Sequence, residues 1–221
     1  MRKGLLTAAA VAALLGIGST ASASVFITEF CSDTGNNEHF EFVEFTNVGS
    51  SAVSMVGWSE DDSHATPNVS GHSLSGFGAL APGESAIFTE ATPADFRTYW
   101  GLPQSVKVIG PYTNDNLSTT ADSITLFDST GTLVDRLDYS TTNGGTADAV
   151  TRNAPLTALG LNNNNSLWQN SFIGDAYGSY SAPKKQSILG NPGTYAVPEP
   201  ASLTLLVPVG MLLATRRRRR T

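Results

Sequence analysis

The sequence predicts an all-β sandwich, and three observations point to this fold class. Between residues 25 and 140, short apolar stretches rich in β-branched and aromatic residues alternate with turn residues. Glycine (21) and proline (11) are frequent while charged residues make up only 14%, which excludes long helices and coiled coils. A chain of 221 residues is long enough to build one substantial core.

Six stretches in this region have the composition of strands. They cover residues 25–30, 40–45, 86–89, 106–109, 124–127 and 133–139. Turn residues at 128–131 separate the last two stretches, which we therefore expect to form a hairpin. One short helix is predicted to begin at Thr92, because a threonine cap, Pro93 and the carboxylate of Asp95 follow the pattern of a helix N-terminus.

Beyond residue 140 the strand pattern weakens. Residues 141–149 are rich in threonine, asparagine and glycine, and 162–165 is a run of asparagines. Four apolar residues in this part could nevertheless be buried on folding: Trp168, Phe172, Ile173 and Tyr177. We expect irregular wrapping of the sandwich, within one domain over residues 24–196; a disordered linker is the alternative.

Several short motifs follow one another along this body. They are ITEF at 27–30, EFVEFTN at 41–47, GW at 57–58, LAPGE at 80–84, DSITLFD at 122–128 and GNPG at 190–193. In this order they resemble the lamin-tail domain of secreted bacterial proteins, over roughly residues 25–195. The resemblance implies an immunoglobulin-like β-sandwich. It implies no activity, because such sandwiches carry many unrelated functions.

The N-terminus, residues 1–23, has the features of a secretory signal peptide. Arg2 and Lys3 precede an apolar run at 5–18, and the small-residue site Ala21-Ser22-Ala23 follows it. A buried N-terminal helix is the alternative. The single cysteine, Cys31, excludes an intramolecular disulfide and is predicted to be either a buried apolar residue or a free thiol.

The C-terminus, residues 197–221, combines three features. The tripeptide Pro198, Glu199 and Pro200 precedes an apolar stretch at 201–215. Fifteen helical residues span only about 22 Å, less than the roughly 30 Å of a bilayer core, so the membrane helix is short. The chain then carries five membrane-orienting arginines, which would hold their side in the cytoplasm: Arg216, Arg217, Arg218, Arg219 and Arg220. A buried core helix is the alternative.

This arrangement resembles the PEP-CTERM sorting tail of Gram-negative bacteria. The resemblance implies recognition by an exosortase-type sorting protease and transient residence in the inner membrane. It also implies removal of the tail and transfer of the body to the cell surface or to an exopolysaccharide matrix. The tail carries no information about what the body does.

The charge of the chain is segregated. Between residues 24 and 197 there are 6 basic and 18 acidic residues, a net charge of −12, while the other seven of the 13 basic residues lie at the two termini. A body with this charge repels phosphate backbones, so we do not expect nucleic acid as a partner.

One acidic run, Glu60, Asp61 and Asp62, is a candidate for weak calcium binding, because Ca²⁺ takes six to eight oxygen ligands in irregular geometry. A solvated acidic loop is the favoured interpretation, since three adjacent side chains rarely converge on one ion. A second group of oxygen donors is weighed in the same way: Asp33, Asn36, Asn37 and Glu38.

Catalytic motifs are absent from the sequence. It contains no G-x-S-x-G or H-E-x-x-H, and His39, His64 and His72 occur singly. Glu41 and Glu44 are separated by an odd offset on a predicted strand, so they should point to opposite faces and not form an acid/base pair. We therefore expect no enzyme and no cofactor other than the weak calcium candidate.

The sequence thus predicts an exported, non-enzymatic surface or extracellular-matrix protein with a structural or adhesive role. The alternative is a carbohydrate-binding or Ca²⁺-dependent adhesion module, and a third hypothesis is an extracellular hydrolase. Three tryptophans would be the sugar-stacking platform of such a module if they are not core residues: Trp58, Trp100 and Trp168.

Overall fold

Two β-sheets packed face to face organise the chain, which is described here from a computed structural model. The described residues are 25–32, 41–62, 69–112, 117–140, 150–156, 159 and 165–197. Within them the secondary structure is mostly strand with a single α-helix, in agreement with the predicted all-β class and consistent with an immunoglobulin-like sandwich.

The first sheet has six strands. In spatial order they are β12 (Gln169–Asn170), β11 (Arg152–Asn153), β1 (Val25–Cys31), β2 (Phe42–Asn47), β7 (Ser85–Thr89) and β8 (Lys107–Ile109). Neighbouring strands are antiparallel except β7 and β8, which are parallel and are connected through helix α1 (Pro93–Trp100). A parallel pair needs such a crossover, because a tight turn can only reverse the chain.

The second sheet has four strands. In spatial order they are β10 (Leu133–Ser140), β9 (Ala121–Phe127), β4 (Ser59–Asp61) and β5 (His72–Ser73). Two antiparallel pairs complete the described strands: β3 (Val53–Ser54) pairs with β6 (Ala79–Leu80), and β13 (Tyr180–Ala182) forms a hairpin with β14 (Lys185–Gly190). Single turns of 3-10 helix lie at Ser75–Phe77 and Asn165–Leu167.

The main core lies between the two sheets, because alternate residues of each strand face inward. Strands of both sheets supply it: Val25, Ile27, Phe30, Val43, Phe45, Ala86, Phe88, Ile124, Leu126, Leu137 and Tyr139. The ring of Phe30 lies 4.8 Å from that of Tyr139 and 5.5 Å from that of Trp168. An aromatic cluster therefore joins the sheets near the end of β1.

A second core covers the opposite face of the first sheet. Helix α1 and the β13–β14 hairpin pack there, and the ring of Phe42 lies 5.3 Å from Phe96 and 6.0 Å from Trp100. Thr92 caps the helix by accepting the Asp95 N–H at 3.2 Å. The first sheet is thus covered on both faces, and all six residues of β2 are buried.

The predicted strands and the predicted helix are all present in the described residues, and β9 and β10 form the expected hairpin. The part after residue 140 differs from the prediction of irregular wrapping. Its described residues contribute β11 and β12 to the first sheet and the β13–β14 hairpin to the second core. These strands were not predicted because they are short and polar, and their burial depends on partners distant in sequence.

The two predicted targeting segments, residues 1–23 and the apolar stretch 201–215, lie outside the described residues. Among the residues that are described, no helix is long and apolar enough to cross a bilayer. The last described residue, Val197, still packs against the main core.

We predict that Phe42→Ala lowers the free energy of unfolding by about 3–5 kcal/mol, because it removes the ring that joins β2 to helix α1. Urea unfolding followed by tryptophan fluorescence measures the change. Val56→Ala is the control: its side chain is 62% exposed, so the expected change is within about 0.5 kcal/mol. Equal effects of the two substitutions would contradict the second core.

Candidate functional site at the loop-bearing end

Several strand ends meet at one end of the sandwich, which we call the loop-bearing end. It is the end at which β1, β4, β8 and β10 finish and β2, β9 and β11 begin. The described strand ends that flank the segments 33–40, 63–68, 113–116 and 141–149 all lie at this end, while the segments themselves are outside the described residues. Immunoglobulin-like sandwiches commonly carry binding loops in this position.

A small cleft opens between the sheets at the loop-bearing end. Its lining combines acidic, aromatic and aliphatic side chains: Val43, Glu60, Asp62, His72, Phe88, Tyr112 and Leu117. The ring of Tyr112 lies 4.6 Å from Phe88 and 5.7 Å from His72, so aromatic rings form one wall. The cleft has a volume of about 10 Å³, which is enough for about one water molecule.

Glu41 lies behind this cleft and is buried. Its Oε1 accepts hydrogen bonds from the Tyr112 hydroxyl at 2.9 Å and from the Leu117 N–H at 2.5 Å. Burial raises the pKa of Glu41 to about 8, although these hydrogen bonds oppose the shift. Glu41 is therefore mostly neutral at pH 7. Its hydrogen bonds join the segment after β8 to the start of β2.

The favoured prediction of a solvated acidic loop is wrong for Glu60 and Asp61, which are buried on strand β4, and the pleat of this strand separates the predicted calcium ligands. Glu60 and Asp62 line the cleft, whereas Asp61 lies between them and consecutive strand residues point to opposite faces. Among the described residues, no group of three or more His, Cys, Asp or Glu side chains could hold a metal ion. His64 and the second oxygen group at 33–38 lie outside the described residues.

A buried pair of carboxylates, Glu29 and Glu44, occupies the outer face of the first sheet, away from the cleft. Glu44 Oε1 accepts hydrogen bonds from the hydroxyls of Thr28 at 2.8 Å, Thr46 at 3.2 Å and Ser85 at 3.2 Å. Its Oε2 accepts the Gly193 N–H at 2.7 Å. Burial raises the pKa of Glu44 to about 7 despite these four donors.

Glu29 binds the same C-terminal segment. Its Oε1 accepts the Asn191 N–H at 2.9 Å and the hydroxyl of Thr151. A register shift in β1 between Ile27 and Glu29 explains its position, because one extra residue there reverses the alternation of faces. Burial first, and then the charge of Glu44, raise the pKa of Glu29 well above its usual range.

The second oxygen of Glu29 supports a neutral carboxyl group. Glu29 Oε2 and Asn153 Oδ1 are both buried without a hydrogen-bond donor, and the two residues are cross-strand neighbours in β1 and β11. An ionised Glu29 leaves both of these buried oxygens as acceptors only, whereas a neutral carboxyl group carries an O–H that can donate. A neutral carboxyl group on Glu29 agrees both with its raised pKa and with the two unpaired acceptors.

Asp135 is another buried carboxylate, and it joins the two sheets. It lies on β10 and its Oδ2 accepts the N–H of Ile27 on β1 at 2.9 Å. Burial raises the pKa of Asp135 to about 7. Glu29, Glu44 and Asp135 were not singled out as site residues in the sequence, because their roles depend on the β1 bulge and on residues more than a hundred positions away.

The remaining candidate residues lie either in the core or in the terminal segments outside the described residues. Trp100 and Trp168 are buried and Trp58 packs partly against the main core, so they do not form an exposed sugar-stacking platform. Cys31 is buried in the second core, in agreement with the first of its two predicted states. The sorting tripeptide (Pro198, Glu199, Pro200) and the arginines of the tail lie outside the described residues.

Calcium is expected to have little effect on stability. The described acidic residues at the cleft do not converge on one point, so millimolar Ca²⁺ should leave the melting temperature almost unchanged. Differential scanning calorimetry with Ca²⁺ and with a chelator measures this. A strong Ca²⁺-dependent rise that disappears in an Asp61→Asn/Asp62→Asn variant would overturn the expectation.

The buried carboxyl groups predict an unusual pH dependence. Their folded pKa values are raised, so their stabilisation is complete below the unfolded pKa, near 4.5 for glutamate, and is lost as pH rises through the folded values. Unfolding free energy should therefore be larger at pH 5 than at pH 8. Glu29→Gln, which mimics the neutral carboxyl, should raise stability at pH 8 and reduce this slope in urea titrations.

The matched control for that substitution is Glu29→Ala. It removes the acceptor of the Asn191 and Thr151 donors, so it should destabilise the domain by about 1–3 kcal/mol at both pH values. If Glu29→Gln is as destabilising at pH 8 as Glu29→Ala, the carboxyl group is not neutral in the folded state.

A comparison with protein families supports the architecture. A model of the Lamin Tail Domain matches residues 18–141, more than half of the chain, which include strands β1 to β10. The strands after residue 141 lie beyond the match although they complete the first sheet. A search of curated proteins found no match. The chain belongs to the lamin tail domain family, as the order of its sequence motifs predicts.

Proposed function

We propose that the chain is an exported, non-enzymatic surface or extracellular-matrix protein in which the lamin tail domain is a structural or adhesive interaction module. One observation carries the proposal: the buried carboxyl groups connect distant parts of the fold. Glu44 joins three strands to Gly193, Glu41 joins β2 to Leu117, and Asp135 joins the sheets. The family is a non-catalytic fold family.

Adhesion would use the loop-bearing end. The strand ends that flank the four undescribed segments lie together at this end, and buried carboxyl groups hold the strands of the sandwich. A rigid framework of this kind lets neighbouring loops act as one binding surface. The net charge of −12 over residues 24–197 favours neutral or basic partners and disfavours nucleic acid.

A carbohydrate-binding or Ca²⁺-dependent adhesion module is the second candidate. The observation that favours it is the cleft, where the aromatic ring of Tyr112 stands near the carboxylates of Glu60 and Asp62. A glycan and exopolysaccharide binding survey, with and without Ca²⁺, tests this. Glu60→Gln should weaken binding at the cleft, while Glu84→Gln, a half-buried residue just before β7 at the opposite end of the first sheet, should not.

Export and sorting form the second part of the proposal. An exosortase-type protease would recognise Pro198, Glu199 and Pro200 while the short apolar stretch pauses in the inner membrane. Packing of Val197 against the core supports this, because the tripeptide directly follows a residue of the folded domain in the sequence. The protease would then meet its recognition sequence beside a folded domain, and cleavage would release the domain to the surface or to an exopolysaccharide matrix.

Changing residues 198–200 to alanine is expected to leave uncleaved precursor in the inner membrane. The same change at Pro103, Gln104 and Ser105, an exposed turn of similar composition, is the matched control and should be processed normally. Replacing the five terminal arginines by serine should reduce correct orientation, because these charges hold the tail on the cytoplasmic side. Membrane fractionation and immunoblotting measure both effects.

Mass spectrometry of the extracellular form gives the decisive result. A mature form that ends near residue 198 supports processing. Intact peptides that extend through Met211 and Arg216 in surface or matrix material would show that the tail is a lasting anchor.

A further inference from the structure

A turn near the C-terminus of the domain exposes two large apolar side chains. Phe172 is 56% exposed and Ile173, directly after it, is 64% exposed. Adjacent exposed phenylalanine and isoleucine are costly in water and indicate a contact surface when the backbone holds them outward. The turn follows β12, the outermost strand of the first sheet.

The backbone of this turn is held firmly. The carboxylate of Asp175 accepts the N–H groups of Phe172 at 3.1 Å, Tyr177 at 3.0 Å and Ser179 at 3.0 Å, and the Ser179 hydroxyl at 2.7 Å. Partial burial alone would raise the pKa of Asp175, but these donors lower it below its usual value. Asp175 is therefore ionised at neutral pH, and its bonds fix the turn with Phe172 and Ile173 at its tip.

The turn lies beside the segment that leads out of the domain. The ring of Tyr177 lies 6.1 Å from that of Tyr195, and the Ser179 hydroxyl donates to Asn191 Oδ1 at 3.2 Å. Val197 follows Tyr195 closely, with its N–H bonded to the Tyr195 carbonyl at 2.9 Å. Only residues 198–200 then separate Val197 from the apolar stretch 201–215, and three residues span at most about 11 Å.

We propose that Phe172 and Ile173 contact the lipid bilayer while the tail is inserted, so that the domain stands on the membrane in one orientation. The inference rests on the membrane insertion described under the proposed function. The short connection supplies a high effective concentration of lipid, so two side chains suffice for a contact that they could not maintain alone. Phenylalanine suits the interfacial zone of a bilayer, and isoleucine its apolar boundary.

Charge favours lipid over a second copy of the chain as the occupant of this surface. Two bodies that each carry a net charge of −12 repel each other, and the contact area of only two side chains is too small to overcome the repulsion. A contact with lipid that the inserted tail tethers needs no large buried area. The same charge disfavours anionic headgroups, so we expect the contact in zwitterionic membranes.

The experiment uses the chain with its tail, residues 24–221, in phosphatidylcholine vesicles. Ile173→Cys carries a polarity-sensitive fluorophore in a Cys31→Ser background, and the vesicles contain lipids with a shallow nitroxide quencher. Thr120→Cys, exposed at the start of β9 on the loop-bearing end, is the matched control. Unfolding curves of both labelled variants establish that each is folded.

We expect a blue shift and nitroxide quenching at position 173 and neither effect at position 120. If the chain floats with the vesicles but position 173 is not quenched, the lipid contact is wrong while the tail insertion stands. If the chain does not float with the vesicles, tail insertion and the inference that rests on it both fail. A blue shift without quenching that grows with protein concentration would assign the surface to a second copy instead.

Discussion

Glu29 and Glu44 are buried together on the outer face of the first sheet, and the placement of the C-terminal part of the domain depends on them. They accept the N–H groups of Asn191 and Gly193, residues about 150 positions away in the chain. Buried carboxyl groups are unfavourable unless they are neutral or saturated with donors. Here hydroxyl and amide donors surround Glu44, and burial raises the pKa of Glu29, which favours its neutral form, so the chain can pass over the sheet and close its outer face.

This closure explains the composition of the first sheet. A sheet with one solvated face alternates apolar and polar residues, as β10 does, where Arg136 and Asp138 form an ion pair at 2.7 Å on the outer side. The first sheet is covered on both sides, and its outer face nevertheless contains polar residues such as Thr46. These residues are retained because they hydrogen-bond with Glu44 and with one another.

The same design separates the domain into parts with different roles. Buried carboxyl groups join strands within the first sheet and join the two sheets, while a small cleft with acidic and aromatic side chains lies at the loop-bearing end.

The sequence by itself determined the fold class, the six main strands, the hairpin and the capped helix, because each depends on local periodicity or on residues a few positions apart. It also placed Glu41 and Glu44 on opposite faces, which their hydrogen-bond partners confirm. Tertiary structure alone decided the parallel pairing of β7 and β8, the strands after residue 140 and the roles of Glu29 and Asp135. Each of these depends on a bulge or on a partner far along the chain, and local pattern contains no signal for either.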